Sequence, residues 1–305
     1  MRMQFKRIVC ATDFSDFSNR TVNYGIKLAK EFGSKIYVCH VIDLSSVAIY
    51  GEFQLDPVGL QNRVMKDASE QLEELIGKQH KEWEPLITVG HAADEISRIV
   101  EEKDIDLVVA ATRGRSGLKR LILGSVTERL MRTLTCPLLV VHSPGKEFIS
   151  PDDQELKIEN ILVGCDFSPD SGLAFEYGLS LAQEFQSELH LAHVIEASIY
   201  QELHKTETPI EEELQQEIHN RLLQKLQDMV PEEARNWCTP QTSLLDGNPY
   251  EELVKYAEQH NIGIIVLGTR GHGLVKSLFV GSTTDRVVRR APCPVLSVST
   301  KIQNG

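Results

Sequence analysis

The chain alternates two periodicities along its length. Short runs rich in β-branched and aliphatic residues, such as Arg7 to Thr12 and Lys35 to Ile42, are separated by longer stretches whose apolar residues return every three or four positions. The first pattern predicts strands and the second amphipathic helices. After the first strand, Val22, Ile26, Ala29 and Phe32 share one helical face. The strand Lys35 to Ile42 follows, then a long polar-apolar helix, a third strand near Pro85 to Val89 and a third helix. Leu107 to Ala111 is apolar throughout, as a strand buried on both faces of a parallel sheet requires. A glycine-bearing loop, a fourth helix and a strand over Pro137 to His142 complete the series.

The whole series then recurs. KRIVCATDFSD from Lys6 returns as ENILVGCDFSP from Glu159, and DIDLVVAATRG from Asp104 returns as NIGIIVLGTRG from Asn261. Residues recur 153 positions on in the early part and 157 positions on in the later part, so the second copy carries a four-residue insertion. Its strands are expected at Asn160 to Cys165, Glu188 to Ile195, Thr239 to Leu245, Ile264 to Leu267 and Pro294 to Val298. Ile210, Leu214, Ile218, Leu222, Leu226 and Met229 trace one face of its long helix. Ser168-Pro169 reads as an N-cap and first helical residue, and Ser15 holds the matching place. Asn248-Pro249, with Glu251 three past the cap, predicts a capping box. The period is too long for a solenoid. Two domains are expected, 1–145 and 155–305, joined by SPGKEFISPDDQELK, which has linker composition. Strand-helix alternation with five strands per copy gives the fold class α/β, two tandem doubly wound parallel sheets flanked by helices.

Composition narrows the function. A chain of 305 residues with 41% hydrophobic and 25% charged residues is that of a globular protein. Its net charge of −12 disfavours nucleic acid and anionic membranes as partners. The N-terminal apolar run is short and interrupted by Asp13, unlike a secretory leader, and no apolar run approaches a membrane span. Six cysteines without a C-x-x-C pair suit reduced thiols in a cytoplasm. Cys10, Cys165, Cys136 and Cys293 are expected as buried small hydrophobes.

The candidate chemistry lies after the fourth strand. Gly268-Thr269-Arg270-Gly271 is followed, nine residues later, by Gly281-Ser282-Thr283-Thr284. Glycines at a strand end let backbone approach a ligand, and a helix opening at Gly281-Ser282 offers free amides and a positive dipole end to phosphate. Hydroxyls of Ser282, Thr283 and Thr284 would add donors. The stretch is neither a Walker A loop nor a G-x-G-x-x-G fingerprint. On the glycines alone, two tight turns around a helix start remain an equal reading.

The stretch resembles the G-x2-G-x9-G-S/T loop of the universal stress protein family. VGCDFSPDS and PCPVLSV in the second copy, and VCATDFSD and CPLLVV in the first, extend the resemblance over nearly the whole chain. It implies strand order 3-2-1-4-5 in each copy and a cytoplasmic, stress-linked protein that binds ATP or another adenine nucleotide, with or without Mg. By position, Asp166 would lie beside the nucleoside and Val194 would hold adenine. Gly268 would pass close to the ribose, and Gly271, Gly281, Ser282 and Thr283 would contact phosphates. The first copy's counterparts are Asp13, Val41, Gly114, Gly124, Ser125 and Val126. Ala111 stands where the second copy has Gly268, so the nucleotide is expected mainly in the second domain.

Other residues fit simpler roles. His40 and His193 occupy equivalent strand positions and are expected as satisfied structural histidines rather than metal ligands. Arg113, Arg115, Lys119 and Arg120 make the first copy's loop basic, as Arg270, His272 and Lys276 do more weakly in the second; phosphate attraction and plain solubility both account for them. Glu128 and Asp285 complement a helix dipole. No general base or nucleophile stands among the motif residues, yet a slow ATPase or phosphotransferase, or a scaffold that binds no nucleotide, remain alternatives. The apolar last strands are expected to pair, Pro137 to His142 with Pro294 to Val298, giving a pseudo-dimer within the chain; a homodimer stays open.

Overall fold

The computed structural model describes residues 3–43, 57–77, 83–112, 123–142, 156–196, 210–271 and 280–300. The chain divides into two compact units, a first on Gln4–Pro144 and a second on Lys157–Gly305. The first contains β1 (Arg7–Ala11), α1 (Asp16–Phe32), β2 (Lys35–Ile42), α2 (Pro57–Ile76), β3 (Trp83–Val89), α3 (Ala92–Glu102), β4 (Leu107–Ala111), α4 (Ser125–Thr133) and β5 (Leu138–Val141). The second contains β6 (Asn160–Gly164), α5 (Pro169–Phe185), β7 (Glu188–Ile195), α6 (Ile210–Met229), a 3-10 turn (Glu232–Asn236), β8 (Pro240–Asp246), α7 (Pro249–Gln259), β9 (Ile264–Gly268), α8 (Ser282–Arg290) and β10 (Val295–Val298).

Each unit holds a wholly parallel five-stranded sheet. The first runs β3-β2-β1-β4-β5, and the second repeats that order as β8-β7-β6-β9-β10. The central strands carry the cores, and Ile8, Val9, Leu107, Val108, Ile161, Leu162 and Ile265 are wholly buried. Strands buried on both faces need helices on both sides, which the strand-helix alternation supplies. Ser15 and Ser168 cap α1 and α5, accepting from the amides of Ser18 at 3.3 Å and Ser171 at 3.2 Å.

Four local expectations change. The third strands begin at Trp83 and Pro240, and the last strands shorten to Leu138–Val141 and Val295–Val298. Asn248 stands at the N-cap of α7 but its side chain makes no capping bond, and Glu251 takes a bond from the Tyr250 hydroxyl instead, so no capping box forms. Cys136 is half-buried rather than buried. Cys10, Cys39 and Cys165 are buried, and burial pushes each thiol up, that of Cys39 to about 12. Among the described residues, no helix is long and apolar enough to cross a membrane.

Candidate functional site

In the second unit the strand order reverses between β6 and β9, which opens a crevice at their carboxyl ends. Leaving β6, the chain turns through Asp166 and Phe167, with Phe167 in the left-handed region at φ 63. The carboxylate of Asp166 accepts the Ser168 amide at 2.9 Å. The Ser168 hydroxyl reaches across the crevice and donates to the Arg270 carbonyl at 3.2 Å.

Leaving β9, Gly268 meets the start of α5. A Cβ at Gly268 would stand 2.7 Å from the Asp170 carbonyl carbon and 2.8 Å from the Ser171 nitrogen, and the Gly268 φ is not left-handed. Backbone packing against α5 therefore requires this glycine. At Gly271 a Cβ would stand 2.5 Å from Asp166 Oδ2, so the missing side chain leaves room for that carboxylate against the loop.

The return of the loop is fixed by three backbone-directed bonds. The Thr269 amide donates to the Val298 carbonyl at 2.7 Å, and the Gly281 amide to the Thr269 carbonyl at 2.7 Å. The Thr284 hydroxyl donates to the Gly268 carbonyl at 2.7 Å. That engages the hydroxyl proton of Thr284, which anchors the loop to the first turn of α8. Helix α8 starts after Gly281 without a side-chain cap, and its first-turn amides lack intrahelical acceptors.

These elements enclose a cleft of about 580 Å³. It brings together Asp166, Val194, Gly268, Gly271, Gly281, Ser282, Thr283 and Thr284, all the candidates of the second copy. Ala192, Leu253, Leu267 and Cys165 give it an apolar wall, and Glu196 and Arg270 add charge. The His193 Nδ1–H donates to the Cys165 carbonyl at 2.7 Å, and burial holds its imidazole below the usual pKa. The Phe167 ring packs on this imidazole at 4.8 Å, and Lys225 Nζ lies over the Phe167 ring, 4.0 Å from its centroid. Among the described residues, no group of three or more His, Cys, Asp or Glu is placed to hold a metal.

The residue that sequence reasoning missed is Asp170. Only 3% exposed, it accepts from the Thr269 hydroxyl at 3.1 Å, the Arg270 amide at 3.1 Å and Arg270 Nε at 3.2 Å. It also accepts from the amide and hydroxyl of Thr300 at 2.9 and 2.6 Å. Burial alone would raise its pKa, but the Thr300 bonds and the Arg270 guanidinium outweigh it and hold the carboxyl below the ordinary range. The available signal was a departure between the copies, since Phe17 occupies the corresponding position.

The first unit repeats the frame with different contents. Asp13 accepts from the Ser15 amide and hydroxyl at 3.1 and 2.6 Å and from the Ser18 hydroxyl at 2.7 Å. His40 faces the Thr12 carbonyl at 2.9 Å, and Thr127 donates to the Ala111 carbonyl at 2.7 Å. Gly124 and Ser125 open α4 without a side-chain cap, Val126 is 37% exposed, and Val41 lies near the end of β2. Gly114, with Arg113, Arg115, Lys119 and Arg120, lies outside the described residues, as do His272 and Lys276.

The sequence profile described as the universal stress protein family matches residues 4–142 and 157–299. The chain belongs to the universal stress protein family. It carries two copies of the universal stress protein domain in tandem. A universal stress protein of Synechocystis sp. is 25% identical over 96% of this chain and 99% of its own length. A universal stress protein of Methanocaldococcus jannaschii is 36% identical over 47% of this chain and 85% of its own length. The crystal structure of a universal stress protein from Archaeoglobus fulgidus has a TM-score of 0.63 and 21% identity, over 98% of this chain and all of its own, a likeness of fold.

Proposed function

We propose that the second unit binds an adenine nucleotide, with ATP as the reference ligand, and that the chain acts as a cytoplasmic, stress-linked regulatory binding protein. The carrying observation is that one cleft is lined by two chemically different sets of groups. One set is the uncapped start of α8 with Ser282, Thr283 and the Gly268–Gly271 turn. Such groups suit phosphates. The other set, Val194, Ala192, Leu253 and Leu267, is apolar and suits a flat base. Asp166 lies beside the Gly271 turn, where it would meet ribose hydroxyls. A Mg²⁺ ion would enter with the phosphates.

The first unit keeps Asp13, Val41, Gly124 and Ser125 but has Ala111 and Phe17 for Gly268 and Asp170. The proposal therefore assigns one strong site per chain, in a second domain spanning 155–305. The pairing expected between the last strands of domains 1–145 and 155–305 belongs to the same reading; paired cysteines placed in those strands would crosslink under oxidation if it holds.

Titration calorimetry with ATP, ADP, adenosine and GTP tests the assignment. One ATP per chain at micromolar concentration, with adenine preferred over guanine, supports it. No binding, or two equal sites, overturns it. Intact ATP recovered after long incubation fits a binding role, whereas steady phosphate release would make the protein a slow ATPase.

A further inference from the structure

Asp170 lies in the first turn of α5, yet its carboxylate joins three separated segments: the Thr269–Arg270 turn after β9, Thr300 after β10, and its own helix. Its five donors come from residues about a hundred or more positions away, 99, 100 and 130 by bond. Arg270 lines the cleft, and its guanidinium is turned by two acceptors, Asp170 at 3.2 Å through Nε and the Thr300 carbonyl at 2.7 Å through Nη2. The backbone at Asp170 is also what Gly268 must accommodate. The first unit has Phe17 and Ala111 at the two corresponding positions. Phe17 has no side-chain acceptor, so it cannot bond a turn after β4 as Asp170 bonds the turn after β9.

We infer that Asp170 is a positioning residue for the phosphate-binding groups of the cleft, acting through Arg270 and the Thr269–Gly271 turn, and that the pair Asp170–Gly268 against Phe17–Ala111 decides which unit takes a phosphorylated ligand. The inference rests on the nucleotide reading above. Its physical basis is preorganisation: a buried carboxylate that satisfies two backbone amides and a guanidinium fixes a loop that would otherwise have to be ordered by the ligand. Asparagine is nearly isosteric but turns an NH₂ group toward donors, so it breaks the network without opening a hole.

The test compares ATP with adenosine on the intact chain by titration calorimetry, for wild type, Asp170→Asn, Arg270→Gln and the double variant. A positioning role for the phosphate-binding groups predicts that Asp170→Asn weakens ATP about tenfold while adenosine binds as before. Arg270→Gln should do the same, and the double variant should lose less than the two losses combined, since both act on one network. A merely structural carboxylate would lower ATP and adenosine together, and that parallel loss overturns the inference, as does unchanged ATP affinity in Asp170→Asn. Should Asp170→Asn fail to fold by circular dichroism, Arg270→Gln alone decides by the same split. A wild type that binds neither ligand removes the nucleotide reading and this inference with it; a wild type that binds ATP, with variants that do too, removes this inference alone.

Discussion

The Thr284 hydroxyl donates to the Gly268 carbonyl at 2.7 Å, joining the first turn of α8 to the last residue of β9. Thr127 and Ala111 make the same bond at the same distance in the first unit. The bond closes the base of the long loop between strand and helix, and Thr284 is only 4% exposed. Thr284→Val keeps the shape but leaves a carbonyl without its donor. It should destabilise the second unit by about 1–3 kcal/mol. Thr284→Ser should restore most of this, and urea unfolding measures both.

Gly281 and Ser282 give a complementary prediction about binding. A Cβ at Gly281 would meet the Thr269 carbonyl oxygen at 3.3 Å, a contact that a small adjustment relieves. Gly281→Asp should therefore fold, while its negative charge at the α8 N-terminus abolishes ATP binding. Ser282→Ala should weaken ATP by roughly 1–2 kcal/mol, the scale of one bond to a charged group. Calorimetry on folded variants checks both, and full affinity in Gly281→Asp would remove α8 from the site.

The two residues at the end of the fourth strands are not interchangeable switches. Gly268→Ala drives a methyl into the Asp170–Ser171 backbone, so it should cost about 1–3 kcal/mol of stability as well as weakening ATP. Ala111→Gly removes a methyl from a first unit that still has Phe17, and it should create no new ATP site. Thermal melts and calorimetry on the pair separate packing from binding; a gained site in Ala111→Gly would show that the methyl alone had blocked the first cleft.

His190 predicts how stability follows pH. It is 3% exposed, its Nδ1 faces the Tyr256 hydroxyl at 3.0 Å, and its buried Nε2 has no partner, with Glu188 Oε2 at 3.9 Å. Burial, then the neighbouring His260, lowers its pKa from 6.5 to about 4. Between those values the unfolded chain binds the proton and the folded chain does not, so folding stability falls as pH drops from about 6.5 toward 4. The loss should approach roughly 2–4 kcal/mol by the lower end. His190→Tyr, which copies Tyr37 of the first unit, should flatten that slope in melts taken across pH 7 to about 4.5.

Much of the frame was legible because it is written twice. Lys35–Ile42 and Glu188–Ile195 were readable to the residue, since each apolar run starts just past a helix stop. The expected members of the cleft come together because a strand-end glycine and a helix start are local features that a parallel sheet must bring to one edge. What escaped was non-local. An aspartate in a first helical turn looks like an ordinary complement to the dipole, and nothing near Asp170 in sequence names Thr300 as its partner. The packing role of Gly268 is hidden for the same reason, because its neighbour belongs to another helix. The absent capping box at Asn248 shows the converse, a local motif set aside when Glu251 found Tyr250.

Phe14 and Phe167 both sit in the left-handed region, at φ 62 and 63. That conformation costs a residue with a Cβ about 1–2 kcal/mol, and glycine would relieve it. Both halves nonetheless keep an aromatic ring there, packed on a histidine whose Nδ1 is tethered to the carbonyl just past the end of the first strand of its unit. Ring and imidazole brace the turn together: the ring rests on an imidazole whose Nδ1 is tied to the backbone. The Asp166 carboxylate, one residue before Phe167, is held in place by this turn and by the Ser168 amide before any ligand arrives. Relaxing the backbone with glycine at Phe167 would make the chain locally more comfortable and its carboxylate free to wander.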